Sequence, residues 1–180
     1  MKLNKLFALM KQRKRIVVAQ GKTAQWVGDG CSLYPIYNLP KLTERTMQTL
    51  LDVSDDAWDK FTFEEHQVLY VSEEDFDEGQ TDLTPLKITI HWKGGDFIPL
   101  VGDGRIYYIP LKYLKPFADD GLLSYSFRNK ARAGNGVIAV NEGLLLSGII
   151  VPEVIDDPLY TETLYRIYDL TKRQAGGNDE

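Results

Sequence analysis

One cysteine, two histidines and no apolar run near the length of a membrane span: the scarcities of this sequence exclude more than its motifs assert. With Cys31 alone, no intramolecular disulfide can form and no thiolate-rich metal site can be assembled, which fits a reducing, cytoplasmic setting. Two histidines far apart in sequence, His66 and His91, are a poor start for a metal centre, so no metal and no cofactor is expected. The longest apolar stretch near the N-terminus, Leu6 to Met10, is too short for a signal-peptide core and is followed by lysine and arginine. Nothing approaches the roughly 20 apolar residues of a transmembrane helix, so no membrane partner is expected. The formal charge of −5 is too small for a polyanion binder read from net charge, or for charge-driven disorder. With 43% apolar residues in 180, one α+β domain over residues 1–173 with a disordered tail at 174–180 is expected.

What the chain does have is a repeated corner. Val27-Gly28-Asp29-Gly30 recurs as Val101-Gly102-Asp103-Gly104, each followed four residues on by a tyrosine, Tyr34 and Tyr108. Asp-Gly between apolar runs favours a type I′ hairpin turn, since both central residues need positive φ. With Asp29 and Gly30 in the turn, Trp26 lies opposite Leu33 and Val27 opposite Ser32. With Asp103 and Gly104 in the turn, Val101 faces Ile106 and Leu100 faces Tyr107, giving a ribbon apolar on both faces. No helix follows Pro110 as one follows Pro40, so two independent hairpins are favoured over a duplicated unit. Further strands are expected at Ile16 to Ala19, His66 to Val71, Leu86 to Trp92 and Leu122 to Phe127. Val137 to Val140 and Leu144 to Val151 should pair across Asn141-Glu142-Gly143.

Helices are expected at three places. Leu3, Leu6, Phe7 and Met10 recur at helical spacing before the basic run Arg13-Lys14-Arg15. Thr43 caps a second helix with Met47, Leu50 and Leu51 on its packing side, and Asp157 caps a third whose stripe is Tyr160, Leu164, Ile167 and Tyr168. The sum is an α+β fold, a mostly antiparallel sheet of hairpins flanked by N-terminal, middle and C-terminal helices. Between Asp52 and Asp82 acids accumulate, and Ser54-Asp55-Asp56 and Ser72-Glu73-Glu74 both read as helix starts in which acids complement the dipole.

Catalytic patterns are incomplete. Cys31 with His66 or His91 can be written as a nucleophile pair, and the turn aspartates Asp29, Asp96, Asp103 and Asp119 as a carboxylate magnesium site, but backbone chemistry alone selects aspartate in turns. The Gly-Asp-Gly and Gly134-Asn135-Gly136 corners lack the strand-loop-helix setting of a phosphate loop. The expectation is therefore a non-enzymatic module. Two interaction surfaces stand out. Arg105, Lys112, Lys115, Arg128, Lys130 and Arg132 interleave with Tyr107, Tyr108, Tyr113, Tyr125 and Phe127, a pattern able to touch phosphates and stack bases. Asp55, Asp56, Glu73, Glu74 and Asp75 form an acidic face for a basic partner or for a second copy of the chain.

The block from Gln25-Trp26-Val27-Gly28-Asp29-Gly30-Cys31-Ser32-Leu33-Tyr34-Pro35 through Leu39-Pro40 to Asp52 resembles small uncharacterised proteins of bacterial phages and mobile elements. That resemblance implies a phage-associated setting and assigns no functional residue. Asn135 to Val140 and Gly148 to Pro152 are similar to the closing strands of a bacterial sliding-clamp domain, which implies a DNA-associated role. The expected function is protein interaction or assembly, through a protein partner or self-association; the alternative is a DNA-associated module, clamp-like or single-strand-binding, acting through the basic and aromatic residues.

Overall fold

A computed structural model describes residues 1–69, 71–117, 122–129 and 136–175, the last five as backbone alone. The fold is α+β. Helix α1 (Leu3–Arg13) leads into β1 (Arg15–Gln20), β2 (Gln25–Gly28) and β3 (Ser32–Ile36), then α2 (Glu44–Leu50), α3 (Asp55–Trp58) and β4 (Thr62–His66). Strands β5 (Thr81–Pro85), β6 (Ile90–Trp92), β7 (Gly95–Gly102) and β8 (Arg105–Pro110) follow, then a 3₁₀ turn at Leu111–Leu114. Strands β9 (Leu123–Arg128), β10 (Val137–Glu142) and β11 (Leu145–Ile150) precede α4 (Pro158–Ala175).

The eleven strands form one sheet in the order β4-β1-β2-β3-β11-β10-β9-β5-β7-β6, with β8 on the other edge of β7. Every pairing is antiparallel except β1 with β4. The part built from residues 15–36 joins the part built from residues 81–150 through a short seam, Leu33 opposite Ile149 and Ser32 opposite Ile150, extended by Val151 N–H donating to the Cys31 carbonyl at 2.8 Å.

Strand alternation explains how both faces are covered. Val18, Val27, Tyr34, Ile138, Val140 and Ile150 point into a core that also takes Leu6 and Met10 of α1, Met47 of α2, Leu100 and Ile109 of the second ribbon, and Phe117. Their neighbours Ala19, Trp26, Ala139 and Ile149 build a second cluster on the opposite face. Phe97 and Tyr108 turn to a third with Ile155 and, from α4, Leu164, so the second ribbon is covered on both sides. Each fully buried aliphatic side chain contributes about 1.5–3 kcal/mol.

Several sequence expectations need correction. The second Asp-Gly corner folds as expected, with Asp103 at φ 50°, Gly104 at φ 65°, and Gly102 opposite Arg105. The first does not. Gly28 pairs with Leu33, Val27 with Tyr34 and Trp26 with Pro35, so the turn is centred on Gly30 and Cys31, one residue later than expected. The partners move by two, which keeps every side chain on its expected face. The strand sought at His66 to Val71 is instead Thr62–His66, running parallel to β1. Ser72-Glu73-Glu74 starts no helix; this stretch is pinned in an irregular path by long-range bonds described below. Leu86 to Trp92 is strand only at Ile90–Trp92, while Thr81–Pro85, unforeseen, pairs with β7 and β9. Thr43 caps α2 in a reciprocal box with Thr46, yet Leu50 faces solvent. The β10–β11 turn sits at Gly143 and Leu144 rather than Asn141 to Gly143, since Glu142 pairs with Leu145. Helix α4 runs through Ala175, past the expected start of the tail at Gln174. The turn aspartate Asp119, the Gly134-Asn135-Gly136 corner up to Asn135, and residues 176–180 lie outside the described residues.

Candidate functional site

The displaced first corner places a charge in the interior. The Asp29 carboxylate is wholly buried, and its Oδ1 accepts from Cys31 N–H and Ser32 N–H, both at 3.0 Å, and from Ser32 Oγ at 3.1 Å. A side chain that caps the amides two and three residues on pulls the bend one residue along, which explains the register. Gly30 carries the positive φ of 86°, and a Cβ there would meet the Arg15 guanidinium at 2.9 Å.

The other carboxylate oxygen, Oδ2, accepts from Tyr113 Oη at 3.0 Å and lies 3.8 Å from Arg13 Nε. Arg13 Nη1 donates in turn to Tyr113 Oη at 3.1 Å and to Cys31 Sγ at 3.0 Å. Helix α1 supplies Arg13 from its last turn, where a cation complements the dipole, and Lys14 at φ 51° ends the helix behind it. Tyr34 Oη donates to the Tyr113 carbonyl at 2.6 Å and fixes the 3₁₀ turn beneath the cluster. Burial holds the Tyr113 phenol well above the ordinary phenol range, with the Asp29 charge adding to it. The Arg13 guanidinium is held further toward its charged form, chiefly by its bond to Tyr113.

This network forms one wall of a hollow of about 390 Å³, to which Gln12, Arg13, Lys112, Lys115, Asp96 and Glu153 contribute. Lys112 Nζ stands 4.9 Å from the Tyr113 ring centroid, a cation–π contact, and neither Lys112 nor Lys115 meets a carboxylate among the described residues. Asp96 Oδ1 is 2.9 Å from His91 Nδ1.

The basic residues singled out in the sequence are thereby dispersed. Lys112 and Lys115 share the hollow with Arg13. Arg105 lines a separate groove of about 530 Å³ beside Asn129 and Tyr165, where Tyr107 stacks on Phe127 with centroids 4.5 Å apart. Arg128 is corrected outright: it is a β9 strand residue, 2% exposed, and donates to the carbonyls of Ser72, Glu74 and Asp75 at 3.0, 2.9 and 3.1 Å. Desolvation lowers its pKa from the ordinary arginine value, and its role is to clamp the acidic stretch. Lys130 and Arg132 lie outside the described residues. Of the interleaved aromatics, Tyr108 and Tyr113 are core side chains.

The acidic face is also partly used up internally. Glu73 accepts the Lys22 N–H at 2.6 and 2.9 Å, Glu74 pairs with Lys22 Nζ at 3.0 Å, and Asp75 Oδ1 accepts the Leu146 N–H at 2.8 Å. Asp55 accepts from Gln48 Nε2 at 2.7 Å, and Asp56 is exposed. Cys31 is bonded to Arg13, and His91 to Asp96, so the two are engaged in separate contacts. Asp29 and Asp103 lie at different corners and Asp96, expected in a turn, is a β7 strand residue opposite His91; no group of three potential ligands that could hold a metal occurs among the described residues. Arg13 is the functional candidate that sequence reasoning missed; its only sign there was a basic run closing a helix.

A third feature is apolar. Met1, Leu3, Tyr37 and Leu39, each at least 40% exposed, line one hollow of about 360 Å³ together with Ser147 and Glu142. Around Glu142 stand its cross-strand partner Leu145, then Leu144 at the turn tip, and Leu122, whose carbonyl accepts the Gly143 N–H at 3.0 Å. All three leucines are at least 65% exposed.

The chain matches no protein-family model, no curated protein and no solved structure. No helix among the described residues is long and apolar enough to cross a membrane. No enzyme family is indicated, and among the described residues the side-chain partner of the Cys31 thiol is the Arg13 guanidinium.

Proposed function

We propose that the protein is a non-enzymatic interaction module that assembles with a second copy of itself through the apolar hollow beside β3 and the leucine-rich tip of the β10–β11 turn. The observation that carries this is the gathering of Met1, Leu3, Tyr37, Leu39, Leu122, Leu144 and Leu145 as exposed side chains around one stretch of surface. Exposed apolar groups scattered singly need no explanation, whereas a contiguous set at one place marks a contact surface. The concavity lined by Tyr37 and Leu39 offers a receptor and the protruding Leu144 a ligand, which is the complementarity that copies of one chain can satisfy. The resemblance of the Gln25 to Asp52 block to small phage proteins favours a phage or prophage setting, and the single cysteine favours the cytoplasm. The DNA-associated alternative keeps Arg105, Lys112 and Lys115 and loses Arg128, which supports the interior instead.

Sedimentation velocity over a concentration series tests the proposal. Wild-type chain should self-associate, and Leu39→Asp with Leu144→Asp should weaken association by at least about tenfold, about 1.4 kcal/mol, while the circular dichroism spectrum stays that of the folded chain because both residues are exposed. A wild-type chain that sediments as a monomer at every concentration, or variants that associate like the wild type, would refute it.

A further inference from the structure

The hollow beside α1 is built differently from the apolar surface, and its chemistry points to a different ligand. An arginine on an open surface swings freely and pays for ordering when it binds, but Arg13 is already held by Cys31 Sγ, Tyr113 Oη and the buried Asp29 carboxylate. Asp29 is itself saturated by the turn donors and Tyr113, so a buried network fixes one guanidinium in the wall of a concavity. Among the described residues only Nη1 donates and Nε faces Asp29, which leaves Nη2 for a ligand. Lys112 is steadied over the Tyr113 ring, Lys115 stands one 3₁₀ turn further along, and Gln12 adds an uncharged donor.

We propose that this hollow binds a phosphate group through Arg13, Lys112 and Lys115, with Tyr113 and Asp29 acting as positioning residues for Arg13. Three cations contributed by a helix end and a short turn offer a planar fork and two point charges to one oxyanion. The carboxylates of Asp96 and Glu153 share the hollow. They offset much of its long-range field, so recognition rests on direct hydrogen bonds and favours a multiply charged, three-oxygen face over a single carboxylate. The group can come as a free anion or as part of a polynucleotide backbone; the chemistry of the contact is the same. The site is separate from the apolar surface, so either reading can fail without the other.

Isothermal titration calorimetry of the full chain with inorganic phosphate, with succinate and with a short oligothymidylate tests the proposal. Phosphate should bind saturably and more tightly than succinate, and Lys112→Gln with Lys115→Gln should weaken it by at least about tenfold while Lys60→Gln, outside the hollow, leaves it unchanged. Arg13→Gln should do the same, and because it also touches the buried network its thermal melt is recorded alongside; the lysine variants keep the test decisive if it unfolds. Oligothymidylate binding more tightly than phosphate, with a log–log salt slope of about −2 for three contacts, assigns the group to single-stranded nucleic acid. Phosphate binding as well or better assigns it to a free anion. Failure of both probes to bind, binding untouched by the lysine variants, or succinate binding as tightly as phosphate would overturn the proposal.

Discussion

The two copies of Val-Gly-Asp-Gly allow one comparison to test the reading of the interior. Asp29→Ala removes the acceptor for four donors, two backbone amides, the Ser32 hydroxyl and the Tyr113 hydroxyl, and the ion-pair partner 3.8 Å from Arg13 Nε. Hydrogen bonds to a charged group are each worth about 1.5–3 kcal/mol net, and truncating one partner of a buried charged network costs about 3–5 kcal/mol. Arg13 is 39% exposed at its side chain, so water can reach part of the vacated space and recover some of the loss. We therefore expect about 3–4 kcal/mol, the lower part of that range. For a chain of this length each kcal/mol lowers the melting temperature by about 2–4 °C, so the melt should fall by about 6–16 °C. Asp103→Ala is the control, with the same three neighbours in sequence. Asp103 sits at φ 50° at an exposed tip without a side-chain bond among the described residues, so only the left-handed backbone penalty applies, about 1 kcal/mol. Urea unfolding followed by tryptophan fluorescence and by circular dichroism, with equal m-values, gives both numbers. Equal costs for the two substitutions would refute the claim that the first corner is a buried hub and the second a plain turn.

Two further outcomes are expected. Arg128→Gln should lower the unfolding free energy from urea titration by about 3 kcal/mol or more, because three carbonyls of the acidic stretch lose their donor in a site closed to water; a neutral result would return Arg128 to the surface. Alkaline pH should also destabilise the fold. Burial raises the Tyr34 and Tyr113 phenols, so below about pH 10 both states keep their protons, while above it the unfolded chain ionises and the folded chain resists. Stability is thus full below that pH and declines as pH rises through the folded values, and Tyr34→Phe should flatten part of the decline. Urea midpoints for both proteins at about pH 8 and about pH 11 check this, and parallel declines would refute the assignment to Tyr34.

How much of this was legible depends on how local each cause is. The Asp103 corner was readable to the residue because its turn obeys backbone sterics alone. The Asp29 corner was misplaced by one residue because its carboxylate is satisfied by Tyr113, 84 positions away, and no window of neighbouring residues contains that partner. Helix caps at Thr43 and Asp157 were legible for the same local reason. Ser72-Glu73-Glu74 has the same letters as a cap, but Arg128 claims the carbonyls of Ser72 and Glu74 and so blocks the helix. Arg128 itself looked like the opening of a basic loop. The alternation of Leu123 to Arg128 put it on the face of Ser126, which is also buried, a sign that the strand continued one residue further. Lys112 and Lys115 were named from composition, but their companion Arg13 lies about a hundred residues upstream and joins them only through the fold.

The seam between β3 and β11 gives the hub another meaning. Among the described residues two facing pairs and the Val151–Cys31 hydrogen bond stitch the early strands to the late ones, and the amides that Asp29 grips belong to Cys31 and Ser32, at that join. Native-state hydrogen exchange would then report these positions as a zipper stop. While the carboxylate holds, the two halves open together with the whole molecule; once it is lost, the sheet has a place to part first, and a protease would find its earliest cut there.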